Sequence, residues 1–267
     1  MKGKRISGML IASILLVLTG LTTIGCSGAE QGVTFQSRAL EASVRHELRL
    51  APDERIGSEM LGQITELAIM FDVGESDLSG IEKMNNVKLL MLAGGTIRNF
   101  ETLVGLEKLE DIAVFHSTLE DISALSALPS LKRLTLSGAA VENPQAIATL
   151  KNLEYLSMPA TGISDISFVN GLDKLKYFAF PFNTVKTIDA LSNLTSLEEI
   201  NGEYNLIRDI SQLSRLKNLK RVNLEYNFIQ DVSVFGGFEH MEMIHLRGNP
   251  IQNGAPLNQV NCKDILR

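Results

Sequence analysis

From Val87 to the end of the chain an apolar residue stands at every 22nd position: Val87, Leu109, Leu131, Leu153, Leu175, Leu197, Leu219 and Met241. No insertion interrupts these steps. Between the anchors the spacing is also fixed, as in Leu197-x-x-Ile200 and Asn205-x-Ile207-x-x-Ile210-x-x-Leu213-x-x-Leu216-x-x-Leu219. A period of about 20–29 residues means that each unit buries its apolar face only against its neighbours, so the chain stacks into a solenoid. Such a chain builds an extended surface.

Within each unit an alternation of apolar and polar residues predicts one short strand, as at Leu90/Leu92, Ile112/Val114, Leu134/Leu136, Leu156/Met158 and Val222/Leu224. The apolar pair points into the core and the residues between face the other way. The rest of the unit carries apolar residues every third position, as at Ile122, Leu125, Leu128 and Leu131. That spacing suits a 3₁₀ or irregular return segment, in which i and i+3 eclipse. The segments Gly162-Ile163-Ser164-Asp165-Ile166 and Leu206-Ile207-Arg208-Asp209-Ile210 bring the pattern close to L-x-x-L-x-L-x-x-N-x-I-x-D-I. On these residues the chain resembles the internalin-type leucine-rich repeat proteins of bacterial surfaces over residues 64–251. The resemblance implies an α/β solenoid: a leucine-rich repeat horseshoe with a parallel concave β-sheet, 3₁₀ or irregular convex segments, and an N-terminal helical cap. It also implies recognition of a protein or other ligand, an activity generic to the fold.

A first, irregular unit covers residues 64–86, with Leu67 and Ile69 on its strand, and eight units of 22-residue period follow, the last partial. The first unit needs a cover for its apolar edge. Residues 35–63 supply it: Leu40, Val44 and Leu48 share one helical face after a Ser37 N-cap, and a second short helix after Ser58 turns Met60, Leu61 and Ile64 inward. The segment from Leu40 to Leu48 also resembles the cap that precedes such repeats. Residues 252–267 form the C-terminal cap, where Cys262 is expected as a small buried residue.

The first five residues hold Lys2, Lys4 and Arg5, and an apolar stretch follows over residues 6–18, the pattern of an export signal spanning residues 1–25. Leu21-Thr22-Thr23-Ile24-Gly25-Cys26 then resembles a bacterial lipobox, with the small Gly25 before Cys26 and Thr23 where the pattern usually has Leu. The resemblance implies acylation of Cys26, a tether over residues 26–34, and a lipid anchor on the extracytoplasmic side of a bacterial membrane within the cell envelope. Two alternatives stand beside it: release by cleavage after Ala29, and an uncleaved anchor of about 20 residues.

The chain carries 25 Lys and Arg against 31 Asp and Glu, and three of those bases fall in the export segment. The remainder is acidic and has no basic tract, which argues against nucleic acid as a partner. Phosphate loops, Ser- or Cys-based nucleophile motifs and HExxH spacing are absent, so no enzymatic activity, metal or cofactor is expected. His240 and His245 do not read as a metal pair, because the register puts His245 on the concave face and His240 in a return segment.

The turn asparagine after each strand occurs only at Asn183, Asn205, Asn227 and Asn249; the earlier units have Gly95, Ser117, Ala139 and Thr161 there. An N-terminal half that opens more readily is expected, because Gly and Ala cannot pair the backbone groups of the turn. Meanwhile all four tyrosines fall in rows assigned to the concave face. Large amphipathic rings on an exposed sheet are what recognition surfaces use. The candidate ligand-binding residues are Phe115, Tyr155, Tyr177, Phe182, Glu203, Tyr204, Glu225, Tyr226, His245 and Arg247, with the five aromatics from Tyr155 to Tyr226 as the central patch. A monomer that binds a protein ligand is expected; the alternative is an envelope glycan or peptide held by the same rings.

Overall fold

The solenoid follows from short strands that can bury their apolar pair only by pairing sideways with the next unit. The computed structural model describes residues 32–72 and 77–267, so the export signal, Cys26 and nearly all of the tether lie outside the described residues. Gly32–Arg267 packs as one unit. Helix α1 (Arg38–Leu48) starts where the Ser37 side chain accepts the Leu40 N–H at 3.1 Å, and it ends at Arg49 in the left-handed region (φ 57°). Its buried Leu40 and Val44 pack against the first strand. The short α2 (Ser58–Leu61) contributes Leu61, and Ile64 follows it into the core, while Met60 stays half-buried.

The strands are β1 (Glu66–Met70), β2 (Leu89–Ala93), β3 (Thr96–Ile97), β4 (Asp111–Phe115), β5 (Thr118–Leu119), β6 (Arg133–Ser137) and β7 (Ala140–Val141). They continue as β8 (Tyr155–Ser157), β9 (Tyr177–Ala179), β10 (Glu199–Asn201), β11 (Arg221–Asn223), β12 (His240–His245) and β13 (Asn261–Leu266). Ten of them form one sheet in the order β1-β2-β4-β6-β8-β9-β10-β11-β12-β13, and β3-β5-β7 form a second, three-stranded sheet. Every pairing is parallel, with Leu89, Asp111, Arg133, Tyr155, Tyr177, Glu199, Arg221 and Met243 in one lateral row. Among the described residues nine 3₁₀ segments, from Ile81–Lys83 to Ala255–Asn258, lie on the return path. Several open on an Asp whose carboxylate accepts the N–H two residues on, as Asp121, Asp165, Asp209 and Asp231 do at 2.8–2.9 Å. The repeated Asp-x-Ser thus starts these return segments with an Asx turn.

The second apolar residue of each strand unit forms a buried column, Ile69, Leu92, Val114, Leu136, Met158 and Phe180, then Leu224 and Leu246. Gly202 interrupts it. The Phe180 ring occupies the space: a Cβ on Gly202 would stand 2.8 Å from Phe180 Cζ and 3.1 Å from Leu224 Cδ2. Just before the strands a row alternates in sign through Lys88, Glu110, Lys132, Glu154, Lys176, Glu198, Lys220 and Glu242. Three of its ion pairs are formed, Lys132–Glu110 at 3.3 Å, Lys176–Glu154 at 2.8 Å and Lys220–Glu198 at 2.6 Å. Neighbouring units therefore attract at this edge, and no net charge accumulates there.

Two local expectations differ from the structure. β12 begins at His240, so that residue is on a strand and not in a return segment, because β13 pairs alongside it from Asn261 onward. Cys262 lies on this last strand with no further strand beside it; its thiol is free and only half-buried, and it donates to the Asp264 carbonyl at 3.2 Å.

Candidate functional site

The five aromatics of the central patch divide into two stacks at opposite ends of the strands. Tyr155 and Tyr177 are the first residues of β8 and β9, and their rings stack at 4.3 Å with planes 3° apart. Phe182, Tyr204 and Tyr226 follow the strands. Their rings stack at 4.7 Å and 4.4 Å. Five residues of extended chain separate the two rows, roughly 16 Å at strand rise.

The Tyr155–Tyr177 stack belongs to a row that satisfies itself. Arg133 pairs with Asp111 at 3.0 Å and lies 3.9 Å from the centre of the Tyr155 ring. Arg221 pairs with Glu199 and Glu242 on the far side. Burial raises the Tyr177 phenol well above its ordinary range, with the neighbouring Tyr155 and Glu199 adding to the shift. Ser157 and Ala179, between the apolar residues of their strands, are buried beside these rings. Both tyrosines are half-buried, and the row stitches adjacent strands as cross-strand pairs do.

The second stack is built differently. Phe182, Tyr204 and Tyr226 have φ of 58°, 52° and 53°. Gly94, His116, Gly138, Ala160 and Gly248 occupy the corresponding position in other units, all at positive φ. A side chain in this region costs about 1–2 kcal/mol relative to glycine, partly offset by stacking of about 0.5–1.5 kcal/mol per ring pair. The turn that holds the rings is fixed by the asparagines that follow them. Asn205 is buried; its amide donates to the carbonyls of Phe180, Gly202 and Glu203, and its oxygen accepts the Val185 N–H at 2.9 Å. Asn183 and Asn227 repeat the arrangement.

These rings are exposed despite that investment in order. Among the described residues, four of the eight exposed large apolar side chains lie on three consecutive turns: Phe182 (55%), Tyr204 (42%), Tyr226 (37%) and Phe228 (43%). Glu203 and Glu225 sit between the rings in sequence, each with its backbone N–H held by the strand asparagine two residues before it, at 3.2 Å. Asn223 also donates to the Glu203 carboxylate. The Tyr204 phenol titrates above its ordinary value through loss of surrounding water first, then through Tyr226 and the charges of Glu203 and Glu225.

The remaining candidates lie apart. Phe115 is half-buried on β4. His245 pairs with Asp264 of β13 at 2.9 Å, and His240 meets Asn261 at 3.1 Å, so the two imidazoles engage different partners. Arg247 is exposed one turn beyond Tyr226. Among the described residues no group of three or more His, Cys, Asp or Glu side chains is placed to hold a metal ion, and no helix is long and apolar enough to cross a membrane. Sequence reasoning missed Phe228, the charge-alternating row and the positive-φ column. The signal for the last was present, since Gly94, Gly138 and Gly248 share the register of the rings.

The fold is that of a leucine-rich repeat protein, a parallel solenoid of strands and 3₁₀ returns. The chain is similar to internalin C2 of Listeria monocytogenes, at 24% identity and TM-score 0.66 over 86% of this chain and 93% of that one. InlJ of the same organism aligns with 83% of this chain and 48% of its own, at 19% identity and TM-score 0.64. The plant peptide hormone receptor RGFR1, solved in complex with RGF2, aligns over 69% of this chain and 36% of its own, at 18% identity and TM-score 0.52. No family pattern matches the chain, and no curated protein matches it.

Proposed function

We propose that the protein is a tethered recognition module of the bacterial cell envelope that binds a protein ligand through the open side of its leucine-rich repeats. One observation carries the reading: three rings are stacked and left exposed on backbone that favours glycine. Such strain persists only where the surrounding structure imposes it, and it concentrates at functional sites. Exposed, rigid aromatic anchors are the residues that dominate protein interfaces. The binding of RGF2 by a receptor of similar fold is consistent with a protein or peptide ligand. Membrane attachment rests on Cys26 and the apolar segment before it.

Capture from envelope proteins, with the full chain and its Tyr204→Gly/Tyr226→Gly variant as paired baits, tests the reading. Glycine removes the rings and relieves the backbone, so the variant should unfold within about 1.5 kcal/mol of the parent while losing the bound protein. Equal retention by both baits overturns the proposal. Mass analysis of the mature N-terminus tests the anchor: a diacylated Cys26 is expected, and an unmodified Cys26 or a chain beginning after Ala29 overturns it.

A further inference from the structure

The charges around the exposed rings point to the chemistry of the partner, an inference that rests on the recognition reading above. From β4 onward, acids of the open face are matched, Asp111 by Arg133 and Glu199 by Arg221, and Asp264 is hydrogen-bonded to His245. The row before the strands cancels itself by alternation. Glu203 and Glu225 break this rule, for among the described residues neither has a cationic nitrogen within 4.0 Å. They are also the two acids interleaved with the exposed stack. Glu66, at the other end of the sheet, is unpaired as well but has no exposed ring beside it.

We propose that Phe182, Tyr204 and Tyr226, with Glu203 and Glu225, form a docking ridge for an extended segment of a protein partner that carries arginine or lysine. The aliphatic stem of such a side chain lies along the rings, and its cation meets the carboxylates. Arginine suits the site best, since its planar guanidinium stacks on aromatic faces and still donates to carboxylate. The ring row stops at Phe182, because the next turn carries Ala160, which leaves one face of Phe182 without a stacking neighbour. At the other end Gly248 lies against the Tyr226 ring, and the unpaired Arg247 bounds the acidic stretch. The cation is therefore placed toward the Phe182 end of the ridge.

The test uses the full chain and three blocked hexapeptides in which glycine alternates with arginine, glutamine or glutamate. The chain has no Trp and only four Tyr, so tyrosine ring signals report the ridge directly. The arginine peptide should perturb Tyr204 and Tyr226 and bind at least about fivefold more tightly than the glutamine peptide at low salt. The preference should vanish in the Glu203→Gln/Glu225→Gln variant, whose surface changes leave the fold intact by circular dichroism. Equal binding of the arginine and glutamine peptides, a preference for glutamate, or a preference that survives in the variant overturns the basic-segment proposal. So does the absence of any perturbation. None of these outcomes touches the paired-bait experiment, whose failure alone removes the recognition reading.

Discussion

The two halves of the solenoid close the same turn by different means. In the N-terminal half the strands β1, β2, β4 and β6 run five residues each, and the chain then pairs again through β3, β5 and β7. Backbone bonds such as Thr118 N–H to Gly95 O and Glu120 N–H to Ile97 O hold one unit to the next. In the C-terminal half β8 to β11 shrink to three residues, and the second sheet is gone. There the backbone acceptor shifts by two residues, as from Leu206 N–H to Val185 O, and asparagine oxygens take the N–H groups of Val185 and Ile207. The difference teaches that a side chain can take over part of a β-ladder while the left-handed turn is kept, since Gly94, His116 and Gly138 have positive φ in the same register as Phe182, Tyr204 and Tyr226. What sets the C-terminal turns apart is the aromatic side chains they carry.

Asn205→Ala is the largest expected break in this comparison. It leaves the buried Val185 N–H without its partner, while the carbonyls of Phe180 and Gly202 each keep an amide, from Asn183 and Asn227. At about 1–3 kcal/mol for an orphaned buried group, with two further bonds lost, a loss of about 2–3 kcal/mol is expected in denaturant unfolding. Ser117→Ala, which removes donation to the Gly94 and Phe115 carbonyls, should cost only about 1 kcal/mol, because the second sheet still holds that turn. Similar losses for the two would mean that the halves do not differ in this way. Amide exchange sharpens the contrast: the N–H groups of Val185, Ile207 and Ile229 should be better protected than those of Thr118 and Ala140, since each is tied to a turn asparagine.

A smaller effect is expected where the C-terminal half departs from its own repeat. Gly202→Leu restores the regular apolar column but drives its side chain into Phe180, an overpacking of about 1–3 kcal/mol. Phe180→Leu alone opens a void beside Gly202 and should also destabilise. Together the two should recover most of the loss, since they re-create the aliphatic neighbours found in this column at Leu136 and Met158. A double variant as unstable as the sum of the singles contradicts the large-for-small packing of these units.

The solenoid, its parallel sheet and its 3₁₀ returns were legible because the apolar period states them directly, at Leu197, Ile200, Ile207 and Ile210 as elsewhere. The asparagine turns were legible from Asn183, Asn205, Asn227 and Asn249 for the same reason. What replaced them upstream was not, since β3, β5 and β7 are two-residue strands whose pairing depends on backbone direction and leaves no side-chain pattern. The site was legible by composition only. The register put Tyr155 and Tyr204 on one face, but it could not show that Tyr204 follows a strand whose last paired residue is Asn201. His240 was misplaced because β12 is lengthened by its partner β13, a tertiary cause outside the repeat.

The smallest expected effect separates Asp111 of the N-terminal half from Glu154 and Glu198 by the sign of the response to acid. Glu154 and Glu198 are held below the usual carboxylate range, first by hydrogen bonds from Lys176 and Lys220. Their contribution is present above the unfolded value of about 4.3 and is lost as pH falls through their folded values. Asp111 shifts the other way, raised by burial against the opposing pull of Arg133. Its charged form is disfavoured in the folded state, so the penalty is relieved as pH falls through its folded value. The chain as a whole should lose stability below about pH 4.5. Glu154→Gln/Glu198→Gln should flatten that decline by a few tenths of a kcal/mol, given the exposure of both pairs. Asp111→Asn should steepen it, because it removes the one group among these three that gains from protonation. Denaturant midpoints of both variants between pH 7 and pH 3 decide the matter; slopes that change in the same direction mean that burial of Asp111 does not set it apart from Glu154 and Glu198.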